Sequence, residues 1–460
     1  MVNLDNHRNI HCIGIGGIGL SAIAEILLSR GYNVSGSDMK ESDLTDKLKE
    51  NGATIYIGHR AENVDGADLI IYSAAIAEEN PEVKRAREKN IPLASRAEIL
   101  GLIMDEYKNS IAISGTHGKT TTTSMVSLIL KNAKLDPTIL VGGNLSEIGG
   151  NYSVGEGDYF VTEACEYRDS FLELRPQIEV ILNIDSDHLD YFKDIDHIVN
   201  SFDRFTKNVR NGGRIVAYDA NPFVNRVIKD LPNVITYGYN SNCTYAIENV
   251  HFAKSGMPVF DISKAGEHIS GIELSVPGEH NILNAAAAFA CCHELGVSAE
   301  IIKETLKEYH GTKRRFDIIG KTERGVLLVD DYAHHPTEIK ATLSAAQNLP
   351  HNRVWCLFQP HTYTRTLALF DEFAEAFQQA DVLVITEIYA AREKNIHNIS
   401  SEALVEKIKS EHPDKEIEYI ATLEGVAQKV AAGAEEGDLV ITMGAGDIYK
   451  AGMMIMDECK

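Results

Sequence analysis

The chain has 460 residues, 44% hydrophobic and 24% charged, with a formal net charge of −23. That length predicts about three domains, each able to bury a core, and the acidic balance argues against a nucleic-acid surface while leaving room for a local anion-binding loop. No stretch approaches the roughly 20 apolar residues of a membrane span. The N-terminus lacks a signal-peptide pattern, and seven scattered cysteines without a C-x-x-C pair suit reduced thiols, so a cytoplasmic location and no membrane partner are expected.

Residues 1–106 open with the strand NIHCIGI and the turn G-I-G-G-I-G at 14–19. A helix follows with Ile23, Ile26 and Leu27 at helical spacing, closed by Gly31. The strand YNVSGSD ends at Asp38, and TIYIG, ADLIIYSAAI, PEVKRAREKN and IPLAS continue the alternation of strand and helix. This predicts a parallel sheet with helices on both faces. Gly14, Gly16 and Gly19, with Asp38 roughly 20 residues further on, match the dinucleotide fingerprint G-x-G-x-x-G. Such a loop suits the diphosphate of NAD(P), FAD or another nucleotide, including a UDP-sugar, or it is a structural turn.

Residues 107–317 begin with IAISGTHGKTTTT at 111–123. An apolar strand runs into a glycine-bracketed loop, and Lys119 and four threonines open a helix. Loop N–H groups would face phosphates, Lys119 would neutralise β/γ charge, and the Thr120 hydroxyl suits Mg²⁺. Gly115 and Gly118 are two residues apart where the general motif has four. Glu163 ends the strand DYFVTEA and is placed to hold a cation, with Glu166 as the nearby alternative and a solvated turn carboxylate as the plain one. Asp185, Asp187, His188 and Asp190 follow the strand VILNI, as second-cation ligands or as turn and capping residues. Residues 233–276 read as antiparallel strands. In PGEHNILNA, Asn281 and Asn284 share a helix face and either read an adenine edge or cap the helix.

Residues 318–460 again alternate strands and helices in a doubly wound pattern. Polar groups gather at the strand ends: Asp330, Asp331, Tyr332, His334 and His335, then His361 and Arg365, Glu387, and Gly444 with Asp447. Strand ends of such a sheet share the ligand-binding edge. Arginine, histidine and carboxylate groups there suit a small zwitterion. Two phosphate loops in one chain speak against an ordinary nicotinamide-dependent oxidoreductase, the alternative from another class.

The motifs HCIGIGGIGLSAIA, SGTHGKTTT, EACEYRDSF, PGEHNILNA, DDYAHHPTEI and FQPHTYTRT, in this order over nearly the whole chain, resemble the Mur ligase family. The resemblance implies an α/β fold of three domains. These are a UDP-sugar-binding Rossmann-like domain (1–106), a central P-loop ATPase-like domain with added antiparallel strands (107–317), and a Rossmann-like amino-acid-binding domain (318–460). It implies ligation of L-alanine to the lactyl carboxylate of UDP-N-acetylmuramate through an acyl phosphate. ATP would be co-substrate, with Mg²⁺ or Mn²⁺, in peptidoglycan precursor synthesis. A family ligase that recycles a cell-wall tripeptide is the nearest rival. Carried over by motif, Lys119, Glu163 and His188 would be catalytic, and Thr120, Glu163 and His188 would hold metal. Gly115, Thr116, His117, Gly118, Lys119, Thr120, Thr121, His280, Asn281, Asn284, Arg314, Arg315 and Asp331 would bind ATP. Gly14, Gly16, Gly17, Gly19, Ser37, Asp38 and Ser73 would line the UDP-sugar pocket, and Tyr332, His334, His361 and Arg365 the alanine site.

Overall fold

The structure, a computed structural model, describes residues 2–73, 75–188 and 191–458. Asp190, singled out above, lies outside the described residues. The chain divides into two compact units, one of Met1–Ile184, Ile198–Ala217 and Asn221–Ile235, the other of Asp185–His197, Tyr218–Ala220 and Thr236–Lys460.

The first unit begins with β1 (Asn9–Ile13), α1 (Ile18–Ser29), β2 (Asn33–Asp38), α2 (Asp43–Glu50), β3 (Thr54–Ile57), β4 (Leu69–Tyr72), α3 (Pro81–Glu88), β5 (Leu93–Ser95) and α4 (Arg96–Asp105). Ile10, Cys12 and Ile13 are fully buried, as a strand covered on both faces requires. The strands pair in parallel in the order β3-β2-β1-β4-β5. Strand order therefore reverses beside β1, so the turn after β1 and Ser73 after β4 flank a topological switch point, where such sheets bind ligands. Capping boxes start α2 (Ser42, Thr45) and α4 (Ser95, Glu98), satisfying first-turn N–H groups.

The chain continues with β6 (Asn109–Ser114), α5 (Lys119–Asn132), β7 (Thr138–Leu145), β8 (Gly150–Ser153), β9 (Tyr159–Glu163), β10 (Ile178–Ile181), α6 (Ile195–Thr206), β11 (Arg214–Tyr218) and α7 (Pro222–Ile228). The strands are ordered β11-β10-β6-β9-β7-β8, parallel except for the hairpin of β7 and β8. β6 thus lies between β9 and β10, and the loop after it faces the ends of both. Gly118 caps α5 with φ +86°, a left-handed conformation that glycine adopts without Cβ strain.

Next come β12 (Val234–Gly238), β13 (Tyr245–Phe252), β14 (Pro258–Lys264), β15 (Glu267–Glu273), α8 (Glu279–Glu294) and α9 (Ala299–Glu308). The hairpins β13–β14 and β14–β15 are antiparallel, as expected. The pairing of β12 with β13 is parallel, contrary to that reading, and short: only Tyr237↔Tyr245 and Gly238↔Ala246 pair. The run β16 (Asp317–Lys321), β17 (Leu327–Asp331), α10 (Pro336–Gln347), β18 (Val354–Phe358), α11 (Tyr363–Ala368), α12 (Phe370–Ala374), β19 (Val382–Ile385), α13 (Ser401–Glu411), β20 (Glu416–Tyr419), α14 (Leu423–Gly433), β21 (Leu439–Met443) and α15 (Tyr449–Glu458) completes the second unit. Its sheet is ordered β16-β17-β21-β18-β19-β20, parallel apart from β16. Apolar cores lie on both faces, one around Phe358, Phe373 and Phe377 and one around Trp355, Val384 and Val430.

Candidate active site

In the first unit the two glycine-rich loops stand at sheet edges. The turn after β1 is held by β2: Gly14 and Ile15 N–H donate to Ser37 O at 2.8 and 3.0 Å. Asp38 Oδ2 accepts from Gly16 N–H at 2.9 Å. The Ser37 hydroxyl faces inward, donating to the buried Glu82 at 2.7 Å. Ser37 therefore shapes the turn through its carbonyl. Gly17 caps α1 without a side-chain bond.

Lys119 starts α5, and its Nζ donates to Thr116 O at 3.0 Å, to Gly115 O, and to Glu166 Oε2 at 2.9 Å. Burial works against the ammonium charge, but the Glu166 carboxylate, aided by Cys165 and Glu163, outweighs it and raises the Lys119 pKa. Glu166 is buried against Lys119. Glu163 instead stands at the end of β9 and accepts from Gly142 N–H at 2.6 Å. Thr120 is buried in the first turn of α5, and Thr121 is half-buried beside it. Asn183, past the end of β10, clamps the phosphate loop: Oδ1 accepts from His117 N–H at 2.8 Å and Nδ2 donates to His117 O at 3.0 Å. Sequence reasoning passed over Asn183; its one signal was its place at a strand end beside β6. A cleft of about 370 Å³ runs from the turn after β1 to β7 and the end of β9. It is lined by Gly17, Ile18, Gly19 and Ser73 from one side, by Gly142, Glu163 and Cys165 from the other, and by Arg96.

The second unit brings together most of the polar groups expected at its sheet edge. Arg365 donates to Asp187 Oδ1 at 3.0 Å and lies 3.4 Å from His361 Nδ1. His334 packs edge-on to Tyr332 and to His361, with ring centroids 5.4 and 5.9 Å apart. Burial would raise the Asp187 pKa, but Arg365, His188 and His334 hold it well below the usual carboxylate range. His188 sits next to Asp187 in a left-handed conformation, φ +53°. Burial lowers both His334 and His361 to about 4, so both rings are neutral at pH 7. His335 caps α10, accepting from Thr337 N–H, and its other nitrogen meets Ser186 O at 3.1 Å.

Several further groups are spent on their surroundings. Asp331 accepts from Phe316 and Ala333 N–H, each at 2.7 Å, and burial raises its pKa to about 6. Arg314 binds Asp330 at 3.0 Å and Gly444 O at 2.7 Å, whereas Arg315 rests on the Tyr332 ring. Asn281 donates to Pro277 O at 2.7 Å and Asn284 to Asn281 Oδ1 at 3.0 Å, so the two carboxamides join each other. His280 lies half-buried at the start of α8, its pKa lowered by burial to about 4. Glu387 accepts from Tyr419 and Asp447 from Gln359, which ties both to the strand ends.

Three family models match in succession: "Mur ligase family, catalytic domain" over residues 9–108, "Mur ligase middle domain" over 113–292 and "Mur ligase, glutamate ligase domain" over 314–446. The chain belongs to the Mur ligase family. Among relatives of this Mur ligase is a UDP-N-acetylmuramate–L-alanine ligase of Alkaliphilus metalliredigens, 50% identical over 99% of each chain. Another, of the same name, from Caldanaerobacter subterraneus, is 49% identical over 100% of this chain and 99% of its own. The crystal structure of UDP-N-acetylmuramate–alanine ligase from Thermotoga maritima superposes with a TM-score of 0.83 at 31% identity, covering 98% of this Mur ligase and 99% of that chain. A murein peptide ligase of Psychrobacter arcticus, at 23% identity and a TM-score of 0.73 over 98% of each chain, shares the fold.

Proposed function

We propose that this Mur ligase joins L-alanine to the lactyl carboxylate of UDP-N-acetylmuramate at the expense of ATP, as a cytoplasmic step of peptidoglycan precursor synthesis. One observation carries the reading: the switch-point turn and the strand ends beside the phosphate loop open into a single cleft. A nucleotide sugar on the turn and a triphosphate on the loop would meet at Glu163. Full-length identity of about half with L-alanine ligases supports the choice of amino acid. The functional division follows the sequence expectation: residues 1–106 for the UDP-sugar, 107–317 for ATP and 318–460 for the amino acid. It is supported by family models that break near both boundaries.

A carboxylate is a poor acyl donor, and its oxygen attacks the γ-phosphorus to give an acyl phosphate and ADP. The amine then attacks the carbonyl, and the tetrahedral adduct expels phosphate. Lys119 would exchange its bonds to Glu166 and the loop carbonyls for β/γ oxygens. The loop residues 115–118, with Thr120 and Thr121, would present N–H groups to the phosphates. His280, Asn281 and Asn284 would flank adenine, Asp331 the ribose, and Arg315, free of the carboxylate that Arg314 holds, the ATP phosphates. Gly14, Gly16, Gly17, Gly19, Ser37, Asp38 and Ser73 would shape the UDP-sugar turn. Tyr332, His334, His361 and Arg365 would take alanine, the neutral imidazoles accepting from its ammonium.

The donor chemistry fits Mg²⁺ or Mn²⁺: Thr120 and Glu163 offer hard oxygens for one ion, and His188 an imidazole for a second. Bound there, a cation would screen the repulsion between carboxylate and phosphate oxyanions.

Phosphate release is expected only when ATP, UDP-N-acetylmuramate and L-alanine are all present. Lys119→Ala is expected to lower it by about 100-fold or more, the scale for losing a transition-state charge contact. Near-normal turnover by that variant would refute the assignment. Faster turnover with a cell-wall tripeptide than with L-alanine would move the protein to the recycling branch.

A further inference from the structure

We propose that Arg96 is the cation that grips the diphosphate of the nucleotide sugar, and that Gly19 lacks a side chain in order to seat it. The proposal rests on the reading of the cleft as the UDP-sugar site.

Arg96 is the first residue of α4, directly after Ser95. The capping box at this position fixes its backbone, with Glu98 N–H donating to Ser95 Oγ at 3.1 Å and Ser95 N–H to Glu98 Oε2 at 2.6 Å. From there the guanidinium reaches across to the first turn of α1. Its Nη1, Cδ and Cζ atoms stand 3.1, 3.3 and 3.5 Å from where a Cβ on Gly19 would be. In the usual dinucleotide fingerprint the third glycine permits close packing of helix on strand. Here the space beside it is filled by an arginine.

Arg96 lines the cleft and is half-buried. Among the described residues no carboxylate pairs with it and no hydrogen bond engages it. A half-buried guanidinium without a protein acceptor keeps its donors available, and an anionic ligand would supply partners for them. The neighbouring helix end has the same need. The first backbone bonds of α1 run from Leu20 and Ser21 N–H to Gly17 O, at 3.0 and 2.9 Å. Ile18 and Gly19 N–H lie ahead of these bonds, at a helix start that no side chain caps. A planar fork of donors beside a helix N-terminus matches a diphosphate, whose adjacent anionic oxygens can take both. Glu163, which also lines the cleft, would repel that group and favour its placement on Arg96.

The test is calorimetric titration of the full chain with UDP and, separately, uridine, with a non-hydrolysable ATP analogue occupying the phosphate loop. Arg96→Ala is expected to weaken UDP by about 10- to 100-fold and to leave uridine unchanged. KM for UDP-N-acetylmuramate should rise in step while KM for ATP and L-alanine holds. Arg96→Lys should recover part of the loss, and Gly19→Ala should reproduce it by displacing the guanidinium. UDP affinity unchanged in Arg96→Ala, or in Arg96→Lys should the first variant not fold, overturns the proposal. So does an equal loss for uridine, which would mark a general collapse of the cleft. Failure of the ligase reading shows differently: wild-type protein would release no phosphate from the three substrates.

Discussion

Buried charge is where single residues of this protein show their purpose. Glu179 on β10 is fully buried, 3.4 Å from the Ser114 hydroxyl that precedes the phosphate loop, and its Oε2 has no hydrogen-bond partner among the described residues. Burial, opposed only by the Ser114 bond, raises its pKa to about 8. The folded protein therefore holds a proton that the unfolded chain releases above about pH 4.5. The associated stability is complete below that pH and is lost as pH rises through about 8. Glu179→Gln removes this titration. Its unfolding free energy relative to wild type should climb between pH 5 and 9, by about 1.4 kcal/mol per unit at the steepest and about 3–5 kcal/mol in all. Urea unfolding across that range measures it, and a flat difference would contradict the assignment. Nothing in the local sequence QIEVILN announced this, since a strand glutamate reads as solvent-facing until the sheet is assembled. The place of Lys119 at the start of a helix was legible because strand, loop and helix arrive in that order; its partner Glu166 was not, because the pairing spans 47 positions of chain.

At the scale of elements, close approach sets geometry that propensity does not. α4 crosses the segment Tyr167–Glu173 at Gly101, where an added Cβ would stand 2.2 Å from the Glu173 carbonyl oxygen. Gly→Ala inside a helix normally gains about 1 kcal/mol. Here the obstacle is backbone that cannot rotate aside, and overpacking of this kind costs about 1–3 kcal/mol. Gly101→Ala is thus predicted to be destabilising by up to about 2 kcal/mol, read as a lower urea midpoint at unchanged slope; a raised midpoint would show that the two segments part easily. The doubly wound patterns of the first and last segments were legible because apolar strands and amphipathic helices alternate at the right lengths. The parallel entry into β13 was not, since alternating polarity reports a half-buried strand without reporting its direction. Asn281 and Asn284 were correctly placed on one face of α8, but spacing could not reveal that they bond to each other and to Pro277.

For the whole molecule, the governing contrast is between a net charge of −23 and anionic substrates. In the proposed reading, local groups overcome that field: Lys119 and the start of α5 would do so for one ligand, Arg96 and the start of α1 for the other. Held side by side, the two anions would come close enough for a carboxylate oxygen to attack phosphorus. This chemistry leaves an isotopic trace. UDP-N-acetylmuramate labelled with ¹⁸O in both lactyl carboxylate oxygens, turned over with ATP and L-alanine, should give inorganic phosphate carrying one labelled atom, the other remaining in the new amide. Unlabelled phosphate accompanying amide formation would mean that the carboxylate never became an acyl phosphate.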